Sequence, residues 1–403
     1  MTDIKTKFEN RVGTLSKALG VGKSEIRAAV ERSYAFNQLS DSGRLKNLFK
    51  KIASGKDITI AAVGGSITEG AWAKSYNGGG NNATEYNELL DGEKCYAQRM
   101  VDWFSKTFPN TNFNFLNAGI GATPSFLGAF RLDSMALIHN PDLVIVEFAV
   151  NDPTATELTD TEIFDAYEAV VRRSLNTDAA VMLVFTVNES GVGWQEYYSK
   201  VGAYYNVPMI SYHNAIYPES GLICEWRKLS PDNVHPNNVG HALIGLCIEN
   251  FLENVYENTD IGAVYKDSEI PQDWMYKNTF EKAEMIYAAD NDAWAIKNFA
   301  FCPTVRDVCS KWGGAWVTEE KGTLSLYVPA GAKRVFVLYF NSNGSFITKL
   351  GDDTLSCDTK TDGWEKASWH RVYTGAPLEK ETELKIESNG DGKVIIIGLL
   401  ISY

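Results

Sequence analysis

Five residues of this sequence have side chains and settings suited to one kind of chemistry. Ser66 ends the stretch Ile58 to Ser66, ITIAAVGGS, an apolar run closed by two glycines. A run of this kind predicts a buried parallel strand, and Gly64 and Gly65 permit a tight turn after it. Ser66 then sits just past the C-terminal end of a strand, where open α/β sheets carry their chemistry. Gly121 and Asn151 follow two later apolar runs, and Asp232 and His235 lie in a loop before the last helix of the region. A serine hydroxyl is a weak nucleophile until an imidazole accepts its proton. The imidazole needs an acceptor on its other nitrogen, and Asp232 stands three residues before His235. Acyl transfer also builds up an oxyanion. The Ser66 N–H, the Gly121 N–H and the Asn151 amide are candidate donors to it.

Other chemistries find less support. There is no G-x-G-x-x-G and no G-x-x-x-x-G-K-[ST], so no phosphate cradle of either kind is expected. The six cysteines contain no C-x-x-C pair, which gives no zinc or redox motif. No second histidine stands close to the Asp232–His235 pair, so no metal is expected there, and acyl transfer by these side chains needs no cofactor. His139, His213, His241 and His370 read as structural or surface residues, and Asp152 as a residue that shapes its loop.

These residues must be positioned by an alternating pattern. Residues 56–258 read as five strands interleaved with helices, which predicts a doubly wound parallel sheet. Its strands begin near Ile58, Phe113, Asp142, Ala180 and Val207. The helix Thr161 to Leu175 has Thr159 or Asp160 as its expected cap. Between the first strand and the helix at Tyr96 lies a polar, glycine-rich insertion, Ser75 to Glu93, longer than a routine connection. Residues 1–55 read as an N-terminal helical cap, and 259–284 as a connector. Residues 285–403 show short alternating runs separated by turns such as Asn343-Gly344, Asp362-Gly363 and Asn389-Gly390. That pattern predicts an all-β sandwich of seven or eight strands. The N-terminal helices and the sandwich are both candidate contacts for a homodimer.

The chain has 403 residues, 44% of them hydrophobic and 22% charged, with a formal net charge of -13. That acidity argues against nucleic acid or an anionic membrane as the main partner. No apolar run approaches the ~18 residues needed to span a bilayer. The first residues lack the apolar stretch of a secretion signal, so the cytoplasm is the expected location.

Taken in order, the motifs resemble those of the SGNH (GDSL-type) hydrolases. Gly64-Gly-Ser66-Ile-Thr is similar to the first block, with its nucleophile. Asn117-Ala-Gly-Ile-Gly121-Ala-Thr is similar to the second, with its oxyanion glycine. Ala149-Val-Asn151-Asp152 is similar to the third, with its oxyanion asparagine. Asp232-Asn-Val-His235-Pro is similar to the fifth. The first block departs from the commoner Gly-Asp-Ser-Leu, and Ala149 stands where glycine is usual. In the second block Gly119 competes with Gly121, and Gly121 fits the family pattern better. The resemblance implies a Ser66–His235–Asp232 triad that hydrolyses esters through an acyl-enzyme.

Two features lean towards carbohydrate. Trp72, Tyr76, Asn77, Trp194, Glu196, Trp226 and Arg227 are polar and aromatic residues of the rim loops, and Trp72, Trp194 and Trp226 are the candidate substrate contacts. Trp274, Trp294, Trp312, Trp316, Trp364 and Trp369 fall in or just before the sandwich, which resembles a carbohydrate-binding module. The arrangement is similar to two-domain carbohydrate O-acetylesterases. It implies an acetylated oligosaccharide as substrate, mannan-type favoured and xylan-type second. A lysophospholipase or thioesterase, and a non-catalytic sugar-binding protein, are the competing readings.

Overall fold

The computed structural model describes residues 2–37, 42–73, 90, 92–291, 293, 295–303, 311–360 and 366–403. Most of the Ser75 to Glu93 insertion, including Tyr76 and Asn77, lies outside the described residues, as do Trp294, Trp364, Cys309 and the Asp362-Gly363 turn. By compactness the chain forms two units. One is Met1–Gly128 with Met135–Lys277, and the other is Ala129–Ser134 with Asn278–Tyr403.

The first unit opens with helices α1 (Thr2–Leu19), α2 (Lys23–Ser33) and α3 (Gly43–Ala53). Then follow β1 (Ile58–Gly64), α4 (Ser66–Glu69), α5 (Tyr96–Thr107), β2 (Phe113–Gly119), α6 (Ser125–Met135), whose residues Ala129–Ser134 count with the second unit, and β3 (Leu143–Glu147). The unit continues through α7 (Asp160–Leu175), β4 (Ala180–Phe185), α8 (Gln195–Tyr204), β5 (Met209–Ser211), α9 (Tyr212–Ile216) and α10 (Asn238–Glu257).

The five strands form one parallel sheet in the order β2-β1-β3-β4-β5. This is the doubly wound arrangement expected from the alternation. Every residue of β3 and β4 is buried, as a sheet covered on both faces requires. Val12, Leu15, Leu45, Phe49 and Ile52 of the first three helices enter the same apolar core as Phe104 of α5 and Leu243 of α10. Each such side chain contributes about 1.5–3 kcal/mol on burial. α10 is apolar around most of its circumference and correspondingly buried. Its N-terminus is fixed by Asn237, whose side chain accepts the N–H groups of Val239 and Gly240. Thr159 caps α7 in a reciprocal box with Glu162.

The register explains how distant motifs meet. Gly64 at the end of β1 pairs with Gly119 of β2 on one side and Glu147 of β3 on the other. The three strands therefore end level, and the loops after them open on one edge.

The second unit holds eleven strands among the described residues, more than the seven or eight expected. They are β6 (Ala283–Tyr287), β7 (Ala295–Lys297), β8 (Ala300–Cys302), β9 (Ala315–Thr318), β10 (Lys321–Val328), β11 (Arg334–Phe340), β12 (Ser345–Leu350), β13 (Asp353–Asp358), β14 (Ala367–Thr374), β15 (Thr382–Asn389) and β16 (Val394–Ser402). They build two antiparallel sheets. One has the order β13-β12-β15-β10-β7; the other runs β14-β11-β16-β9-β8, with β6 also paired to β16. The alternating run from Ala295 to Phe301 is divided between two strands, β7 and β8. Asn298 adopts a left-handed φ of 60°, and the chain passes there from one sheet to the other. β13 is an exposed edge strand of mostly polar residues, with only Cys357 buried, so no apolar alternation marks it in the sequence.

Candidate active site

β1 delivers Ser66 through a turn that tolerates no side chain. A Cβ on Gly64 would lie 2.2 Å from Thr68 Oγ1 and 2.6 Å from the Glu147 carbonyl oxygen. A Cβ on Gly65 would lie 2.1 Å from Asn151 Oδ1. Ser66 opens α4, so its N–H has no helical acceptor, and no described residue takes it.

The loop before α10 brings His235 to this serine. His235 Nε2 lies 2.8 Å from Ser66 Oγ, and His235 Nδ1 lies 2.8 Å from Asp232 Oδ2. Asp232 Oδ1 accepts the backbone N–H groups of Val234 at 2.8 Å and His235 at 2.7 Å. Partial burial pushes the Asp232 carboxyl up. The hydrogen bonds from the His235 side chain and from these N–H groups outweigh that effect and hold it down at about 2. The loop itself is tied down. Buried Ser230 shares its hydroxyl between the carbonyls of His235 at 2.5 Å and Asp232 at 2.8 Å.

The candidate oxyanion donors lie on the other strands. Asn151 follows β3, and its Oδ1 is buried without a hydrogen-bond partner. No described residue accepts from its amide nitrogen, which leaves those two donors unspent. Ala149, in place of the usual glycine, keeps a negative φ, so the substitution brings no backbone strain. Gly121 approaches Ser66: a Cβ on it would lie 3.8 Å from Ser66 Cβ. Its N–H is already engaged, donating to Glu69 Oε2 at 2.7 Å. Gly119 has a different task. A Cβ there would lie 2.3 Å from the Glu69 backbone nitrogen, so the missing side chain lets α4 pack on β2.

A buried polar layer supports the turn. Glu147, wholly buried, accepts from Thr186 Oγ1 at 2.5 Å and Thr68 Oγ1 at 3.0 Å. Burial pushes its carboxyl up, against the opposing hydrogen bonds of Thr186, Thr68 and the Gly65 N–H. Thr68 also meets Tyr96 at 2.8 Å. His241 is buried and accepts the Tyr96 N–H on Nδ1; burial drives its imidazole down to about 3, so it stays neutral. Asp152 accepts the Ser125 N–H at 2.6 Å and the Tyr198 hydroxyl. The composition carried a signal for Glu147, a carboxylate inside the run LVIVEF. Glu69 carried one too, standing three residues after Ser66 on the same short helix.

The three candidate substrate contacts differ in setting. Trp72 is half-buried with a left-handed φ of 60°. Trp194 is also half-buried; it packs on Phe164 with ring centres 5.1 Å apart, and its N–H bonds to Ala149 O at 2.9 Å. Trp226 is only 5% exposed and donates its indole N–H to the Asp232 carbonyl at 2.5 Å. Its setting is that of a brace for the Asp232 loop, with no open face for a sugar ring. Among the described residues no cluster of His, Cys, Asp and Glu has the makings of a metal site, and no helix is long and apolar enough to cross a membrane.

Residues 62–243 match the sequence model of the GDSL-like lipase/acylhydrolase family. The match spans the parallel-sheet region from the end of β1 into α10. The matched segment includes Ser66, Gly121, Asn151, Asp232 and His235. Two solved structures are similar over both units. One is a two-domain esterase (CEX) active on acetylated mannans, co-crystallised with mannopentaose. It is 27% identical, covers 89% of this chain and 94% of its own, and has a TM-score of 0.72. The other, a two-domain esterase (CEX) active on acetylated mannans, is 26% identical, covers 90% and 95%, and has a TM-score of 0.74. No curated protein sequence matches the chain significantly. The family match and these neighbours support an esterase, a hydrolase of carboxylic esters.

Proposed function

We propose that this protein is a serine esterase that removes O-acetyl groups from oligosaccharides, with mannan-type chains as the favoured substrate. The observation that carries the catalytic part is the unbroken chain Ser66 Oγ, His235, Asp232, with both contacts at 2.8 Å. Ser66 Oγ attacks the acetyl carbonyl while His235 Nε2 takes its proton. Asp232 holds the imidazole in the tautomer with a proton on Nδ1 and stabilises the cation that forms. The carbonyl oxygen gathers charge among the Ser66 N–H, the Asn151 amide and the Gly121 N–H. His235 then returns the proton to the departing sugar oxygen. Water, activated by the same imidazole, releases acetate from the acetyl-enzyme.

The carbohydrate part rests on the likeness to an esterase active on acetylated mannans across about nine-tenths of the chain. Acetate release from chemically acetylated manno- and xylo-oligosaccharides, by the wild type and by Ser66→Ala, tests both parts. Release by the wild type alone supports the mechanism, and the faster substrate names the sugar class. Cleavage of long-chain esters without release from either oligosaccharide overturns the carbohydrate assignment. No turnover of any ester overturns the whole reading.

A further inference from the structure

The Gly121 N–H is one of the donors that the ester carbonyl needs, yet it points at a carboxylate of the same chain. Glu69 Oε2 accepts it at 2.7 Å. Glu69 ends the four-residue helix that Ser66 begins, so the two side chains arise from one turn. A Cβ on Gly121 would lie 3.1 Å from Glu69 Oε2 and 3.8 Å from Ser66 Cβ, which puts the carboxylate beside the nucleophile. A developing oxyanion and a carboxylate both seek this N–H, and two negative oxygens within hydrogen-bond range of each other repel.

We propose that Glu69 is an internal, displaceable ligand of the Gly121 N–H, which holds that donor against free carboxylates until an ester carbonyl replaces it. The proposal rests on the esterase reading for its consequence in catalysis. It gives the arrangement a purpose in terms of the product. Acetate is a carboxylate, and a bare N–H beside Ser66 would retain it. Glu69 supplies the same chemical group from within the chain, at the high effective concentration of an attached ligand. The Ser66 N–H and the Asn151 amide stay open, so the substrate carbonyl has two donors to reach first. Its arrival at the third requires Glu69 to swing away. Glu69 is half-buried, which leaves its side chain a route to solvent.

Two variants test this. Glu69→Ala removes the ligand, and Glu69→Gln keeps a neutral acceptor. Acetate is the probe, read as a competitive inhibitor of 4-nitrophenyl acetate hydrolysis and as a ligand in amide NMR of the labelled protein. The inhibition constant for acetate should fall about tenfold in Glu69→Ala, the scale of one charge-assisted hydrogen bond, and by less in Glu69→Gln. kcat/KM for the small ester should rise in Glu69→Ala. The Gly121 amide proton should move upfield in that variant and return downfield as acetate is added. A purely structural role for Glu69 gives the opposite result: kcat falls, and acetate binds no tighter. That outcome, or an unchanged inhibition constant, overturns the proposal. Labelling of Ser66 by a fluorophosphonate reports separately on the esterase reading. If the wild type is neither labelled nor active, that reading fails, and the acetate titration of the Gly121 amide still decides the role of Glu69.

Discussion

Asp232 holds His235 at two points. Its Oδ1 accepts the His235 backbone N–H at 2.7 Å, and its Oδ2 meets the His235 ring at 2.8 Å. The backbone contact sets where the histidine stands, and the ring contact sets which nitrogen carries the proton. Asp232→Asn separates the two. The amide oxygen keeps the backbone N–H groups, while the amide nitrogen faces Nδ1 as a donor. The imidazole must then place its proton on Nε2, where it can no longer accept the Ser66 proton. We expect kcat to fall by roughly 10³–10⁴-fold with the thermal midpoint nearly unchanged. Ester turnover beside circular dichroism melting checks this, and a fully active variant would exclude the tautomer role.

Gly65 and Asn151 form a second dependent pair. A methyl group on Gly65 would overlap Asn151 Oδ1, at 2.1 Å. Gly65→Ala should therefore push the Asn151 amide out of place. Asn151→Ala should lower kcat by about 10²–10³-fold, the usual worth of one oxyanion donor. Because both substitutions disable the same donor, the double variant should lose much less than the product of the two single losses. Rates of the three variants decide the matter. Full multiplicative losses would mean that Gly65 acts independently of Asn151.

Much of this site was legible in the sequence, and the reason is local. The apolar run of β1, its two glycines and the Asp-x-x-His spacing each lie within a few residues, and each has one economical structural solution. The level strand ends follow from parallel pairing. The Glu69 contact was not legible, because it joins residues 52 apart through two loops whose approach is set by packing. Trp226 shows the same limit. Its type suited a sugar platform, and only burial among tertiary neighbours revealed it as a brace for Asp232. In the sandwich, alternation marked the buried strands. It failed at β13, whose exposed edge needs no apolar face, and at Asn298, where one left-handed residue redirects the chain.

Asp152 should make stability depend on pH. Burial pushes its carboxyl up from 3.8 to about 7, against the hydrogen bonds from Tyr198 and Ser125. In the unfolded chain the group ionises near its ordinary value. Between these two values the folded state holds the extra proton, so stability falls as pH rises across that window and levels off above about 7. The full effect is on the order of 4 kcal/mol. Asp152→Asn removes this titration while retaining an acceptor for Ser125. Urea midpoints at pH 5 and pH 8 should therefore differ less in the variant than in the wild type. Equal differences would show that Asp152 does not titrate in this range.

The final expectation concerns the segment that follows α10. Residues 272–277 form no strand or helix and are held by side chains of α7. Buried Glu168 accepts the N–H groups of Met275 at 2.6 Å and Tyr276 at 2.8 Å, and Asp165 accepts that of Lys277 at 2.9 Å. Arg172 donates to the carbonyls of Gln272 and Asp273, both at 3.0 Å, and its guanidinium lies 4.8 Å from the Trp274 ring centre. Glu168→Ala strips two backbone donors and the Tyr205 hydroxyl of their common acceptor. A loss of about 3 kcal/mol is expected from hydrogen bonds to a charged group. The freed segment offers Trp274 and Tyr276 to chymotrypsin, so limited digestion should cut there first. Among the described residues, the hydrogen bonds of Ser66, His235 and Asp232 do not involve this segment, so kcat of the uncut variant should stay close to that of the wild type. Unchanged resistance to chymotrypsin would mean that the Asp165 and Arg172 contacts suffice to hold the segment.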